Sequence, residues 1–101
     1  MTHTIRLWRV YKADYKNIVH VKTLVLDVLS AHSPPLPELA VSLCELDGLN
    51  KVDVTLVEID EKTESLKVTI NGSDIDFDAL KERIVKHGAV VHSVDQVIVE
   101  K

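Results

Sequence analysis

From Val19 to Leu29 the chain reads VHVKTLVLDVL, rich in β-branched residues, with an apolar stretch from Leu24 onward. Asp27 is the only charge in that stretch, so the pattern predicts a first strand buried on both faces. If Leu24, Leu26 and Val28 face a helical layer, Val25 and Leu29 face away from it. The next segment, SAHSPPLPELAVSLCELDGLN, carries Pro34, Pro35 and Pro37, which suit a helix start and not its interior. A first helix therefore begins between 34 and 37. Leu36, Leu39, Ala40 and Leu43 form its apolar stripe, and Glu38, Ser42 and Glu45 lie opposite. Gly48 is expected to end it.

A second strand follows as KVDVTLVEID, with Val52, Val54 and Leu56 on one face. The polar turn from Asp60 to Glu64 leads into a third strand, where Leu66, Val68 and Ile70 alternate with Lys67 and Thr69. A second helix is predicted over roughly Asp76 to His87. Asp76 serves as its N-cap, and Ile75 and Leu80 occupy the positions of a hydrophobic staple. Phe77, Leu80 and Ile84 supply its buried stripe. Gly88 closes this helix, and a fourth strand runs from Ala89 to about Val99.

Strand–helix–strand thus occurs twice, joined by a short turn. Right-handed crossovers are strongly preferred, and two interleaved units give an antiparallel sheet in the order 4-1-3-2 with both helices on one face. The expected class is α+β, a ferredoxin-like βαββαβ sandwich over residues 19–101, preceded by an N-terminal extension or arm over residues 1–18.

Composition and charge narrow the function. The net charge of -4 hides a split. Residues 1–22 carry five basic residues against Asp14, a balance of +4, whereas residues 23–101 carry seven basic and fifteen acidic, a balance of -8. An acidic body repels phosphate and argues against nucleic acid as a partner. Leu7, Trp8, Tyr11, Tyr15 and Ile18 make one helical stripe in the basic arm. That stripe fits a dispensable extension, a structural arm or, as the outlying reading, a membrane-surface helix. No apolar run approaches the roughly 18–20 residues that span a bilayer, and the N-terminus lacks a secretory apolar core. The single cysteine, Cys44, makes no intramolecular disulfide and fits a reducing cytoplasm, where it reads as a small hydrophobe beside a helix face.

TLVLDVLSAHSPPLPELA, the turn DEKTESLKVTI and the closing GAVVHSVDQV resemble an archaeal family catalogued as domain of unknown function 211. The likeness covers about residues 22–99, and residues 1–21 depart from the pattern. It implies the ferredoxin-like fold and an archaeal, cytosolic setting, and it carries no catalytic residues.

Candidate chemistry is sparse. Helices cover one face of the sheet only, so Val25, Leu29, one of Val57 or Ile59, and Val91, Val97 and Val99 can form an apolar surface suited to self-association. The counter-reading tucks them into the core or under the arm. Strands one and four run antiparallel, which places His32 and His92 at the same end of the sheet. They could bind zinc with a nearby carboxylate, or stay solvated. Asp60, Glu61 and Glu64 could hold calcium, although the turn lacks the length and glycine of a dedicated loop. Asp27 and Asp95 are the charges inside strands one and four. A register with 25 opposite 97 and 29 opposite 93 sets Asp27 opposite Asp95, a pH- or cation-sensitive switch. A slipped register separates them.

No G-x-S-x-G element or phosphate-cradling glycine loop occurs. The adjacent His92, Ser93 and Asp95 alternate across a strand and form no relay. No cofactor is called for beyond a divalent cation at these carboxylates. The expectation is a cytoplasmic, homo-oligomeric ligand-binding or regulatory module for a small molecule, with no catalytic signature. The alternative is a metal-dependent enzyme whose site forms between subunits.

Overall fold

The computed structural model of the chain describes residues 19–31 and 35–101. Strand β1 spans His20–Ser30, helix α1 Leu36–Cys44, strands β2 and β3 Leu49–Ile59 and Glu64–Gly72, helix α2 Phe77–Lys86, and strand β4 Ala89–Glu100. The strands form one antiparallel sheet in the order β2-β3-β1-β4, the expected order read from the other edge. The topology is βαββαβ, as expected of a ferredoxin-like fold. The arm, residues 1–18, and His32 lie outside the described residues.

The core forms where the helices meet the central strands. Leu24, Leu26 and Val28 of β1 and Leu66, Val68 and Ile70 of β3 are buried with Leu39, Leu43, Leu80 and Ile84 from the helices. These are the residues that the period-2 and period-3.6 patterns single out, because each such position removes apolar surface from water. The opposite parity of β1, Val25, Asp27 and Leu29, is half-buried on the helix-free face.

The helices are held by different caps. Asp76 Oδ1 accepts hydrogen bonds from the amides of Asp78 at 3.1 Å and Ala79 at 3.3 Å, the N-cap its sequence position predicts. Helix α1 has no side-chain cap and begins after Pro35, whose carbonyl accepts from the Leu39 amide. It stops at Cys44, short of the expected Gly48, because the Leu46 amide tightens onto the Leu43 carbonyl. Cys44 is free and half-buried.

Gly48 turns the chain into β2 instead, with φ of 86°. Its carbonyl accepts from the amides of Ser73 and Asp74, fastening the start of β2 to the end of β3. A Cβ there would collide with the backbone carbonyl of Asp74. Gly48→Ala therefore combines left-handed strain with a backbone clash, and we expect a loss of about 1–3 kcal/mol of stability. Urea unfolding measures this; an unchanged midpoint would show that the loop relaxes freely.

Candidate functional site

Two elements of the sheet differ in regularity, and that difference builds the site. Between β1 and β3 the pairing is unbroken from Thr23↔Asn71 to Ser30↔Glu64. The edge strands are bulged. In β2 the register shifts between Leu56 and Glu58, leaving Val57 as the extra residue. Strand β4 pairs Val25 with Gln96 but Leu26 with Val94, so Asp95 is extra, and a second shift makes His92 extra. Bulges bend the strand that carries them and re-aim a side chain.

These shifts correct the expected register. Asp27 faces Ser93, Val25 faces Gln96 and Leu29 faces Val90. The direct Asp27–Asp95 pair does not form, because Asp95 is itself the inserted residue and Ser93 takes the position opposite Asp27. On its other side Asp27 faces Lys67 of β3. Asp95 still comes close to Asp27: both line a shallow depression of about 320 Å³ with Val57, Glu58, Ser65 and Lys67. Two bulged residues, one from each edge, thus flank the regular central pair. Three carboxylates and one ammonium share this wall, and Ser93 Oγ donates to Asp95 Oδ1 at 2.7 Å.

The other expected residues are dispersed. His92 is exposed on β4. The turn between β2 and β3 closes with the Asp60 amide on the Thr63 carbonyl at 2.8 Å, and the Glu61 amide donates to Asp60 Oδ1 at 2.6 Å. Among the described residues no group of three His, Cys, Asp or Glu converges as a metal site. Val91 packs against the core, whereas Val97 and Val99 are exposed.

A second constellation escaped the sequence reading. His87 Nε2 lies 2.6 Å from Ser42 Oγ, joining the ends of α1 and α2. Arg83 Nη1 donates to the Ser42 carbonyl at 2.7 Å and to its hydroxyl at 3.1 Å. Glu45 stands 3.7 Å from the same Arg83 nitrogen. The partners are 45 residues apart, so no local spacing announces them. The one available clue was that Ser42 lies on the face of α1 away from its apolar stripe.

No helix among the described residues is long and apolar enough to cross a membrane. An uncharacterised protein of Methanocaldococcus jannaschii is 40% identical over 81 residues, which is 80% of this chain and 84% of the relative. The family model DUF211, described as uncharacterised ArCR, matches residues 22–101, from β1 to the last residue. The likeness of the three quoted segments therefore extends over the whole βαββαβ body, and the chain belongs to the DUF211 family.

Proposed function

We propose that the chain is a self-associating module that binds a small molecule on the helix-free face of its sheet. The observation that carries this reading is the state of β4. This edge strand of twelve residues leaves Val90, Val94, Val97, Ile98 and Val99 between 39% and 53% exposed. A long edge with an apolar run is a template for further strand pairing, and natural proteins cover such edges or charge them. The other edge, β2, likewise exposes Leu56, Val57 and Ile59. The two edges run in opposite directions, so copies set edge to edge continue the antiparallel sheet. A second copy is the occupant that supplies a matching strand.

The depression between the edges supplies the ligand site. Asp27, Glu58 and Asp95 attract an ammonium group, and Lys67 attracts a carboxylate. Its volume lies at the lower end of small-molecule sites. Such charges match a small amine, best one that also carries a carboxylate. The bulges make this region concave in each copy, and continuing the sheet past its edges would deepen it.

Two outcomes follow. Light scattering coupled to size-exclusion chromatography should give at least a dimer at micromolar concentration, and Ile98→Asp should shift the mass toward monomer. A wild-type monomer throughout would overturn self-association. For the ligand, L-lysine, glycine and putrescine are titrated in a thermal-shift assay. At about ten times Kd, linkage supplies about 1.4 kcal/mol, or a rise of about 6–11 °C in Tm for a domain of this size. The rise should vanish in Asp27→Asn. No response to any of the three, or an equal response in Asp27→Asn, would remove the depression from the reading.

A further inference from the structure

The pair formed by Ser42 and His87 has the parts of an activated hydroxyl. Ser42, Arg83 and His87 are all half-buried, so their contacts are partly withdrawn from water while the hydroxyl stays reachable. With the imidazole proton on Nδ1, the Ser42 hydroxyl donates to His87 Nε2 across 2.6 Å, and Arg83 Nη1 donates to Oγ across 3.1 Å. One neighbour is placed to take the proton. The other is placed to stabilise the oxygen left behind, since a guanidinium bonds an alkoxide more strongly than a hydroxyl. A nucleophile within hydrogen-bond reach of a base, with a third group in contact, is the arrangement that covalent catalysis requires.

A place for substrate adjoins it. Ser42 shares the wall of a groove of about 310 Å³ with Pro37, Glu38, Val41 and Glu45. Val41 is 61% exposed there. Pro37 and Val41 offer an apolar rest for a short acyl chain. Glu38 and Glu45 place negative charge at its rim, which disfavours anionic substrates.

We propose that Ser42 is an acyl-accepting nucleophile with His87 as its general base, acting on small uncharged esters. Ser42 Oγ adds to the ester carbonyl carbon as its proton passes to His87 Nε2. The bond from that carbon to the leaving oxygen then breaks, and the same proton goes to the leaving group. Water, deprotonated by His87, attacks the acyl–Ser42 ester and restores the hydroxyl. The net change is hydrolysis of an ester to an acid and an alcohol, with no redox partner. Arg83 touches the reacting oxygen throughout, and its contact with the Ser42 carbonyl holds it in place.

The same contacts would also serve as a tie between the helices, so the test must read chemistry and not stability. The full chain is treated with an alkyl fluorophosphonate, which forms an Oγ–P bond and expels fluoride. Peptide mass spectrometry locates the adduct, and p-nitrophenyl butyrate reports turnover. We expect one adduct per chain on Ser42 and none in Ser42→Ala. The labelling rate should rise as the imidazole loses its proton, and His87→Gln should abolish that rise and slow labelling about 100-fold. Melting curves establish that His87→Gln remains folded; were it unfolded, the wild-type adduct and its pH profile decide alone. An unlabelled Ser42 in folded wild type, or a rate indifferent to pH or to a folded His87→Gln, would reduce the cluster to a helix clamp. Neither outcome bears on self-association.

Discussion

The unbroken ladder between β1 and β3 is the constraint on which the rest of the molecule depends. These two strands bury three aliphatic residues each against the helices, and their register has no slip from Thr23 to Ser30. Because side chains alternate with a period of two, that register fixes which residues enter the core and which remain on the far face. A shift by one residue would turn Leu24, Leu26 and Val28 outward. The edge strands enjoy more freedom, since their outer sides pair with nothing within the described chain. Four of the five extra residues, Asn50, Val57, His92 and Asp95, lie in those edges, and the fifth, Lys22, lies in β1 before its regular pairing with β3 begins.

Most of the fold was legible because it rests on periodicity and on residues with strong local preferences. Alternation in β3, the Asp76 cap and the two leucine stripes each had a direct counterpart in the structure. The end of α1 did not, since Gly48 has the conformation expected of a helix-closing glycine but uses it in the following turn. Register between β1 and β4 was not read: each inserted residue breaks the alternation, setting Val91, Val94 and Val97 three apart opposite Val28, Leu26 and Leu24, and displaces every partner beyond it. Asp27 and Asp95 illustrate the limit well. The direct opposition expected of them is absent, and the slipped register leaves both on the lining of one depression. Ser42 and His87 lay beyond reach for a different cause, for contact between helices depends on packing that no spacing encodes.

The helix-free face and the helix layer therefore pose separate chemical questions. On the first, charged groups of both signs stand on a curved β surface, with the regular centre setting Asp27 against Lys67. In the second, polar groups are bonded to one another in a gap between two short helices. No side chain lines both the depression and the groove, so a change in one can be read without disturbing the other.

The mismatch in length between helices and strands has a mechanical consequence. Helices of nine and ten residues rise about 14–15 Å, whereas strands of eleven and twelve residues extend about 36–40 Å. The buried cluster therefore braces only part of the sheet, and the last turn of chain in β4 leans on a single neighbour. Amide exchange should divide the body accordingly, with slow protons along the central pair and fast ones toward Glu100. Opening that outer ribbon would expose little additional apolar surface, because its valines are already half in water. The least protected segment is thus the outer end of β4, whose transient separation leaves the remaining hydrogen-bonded pairs undisturbed.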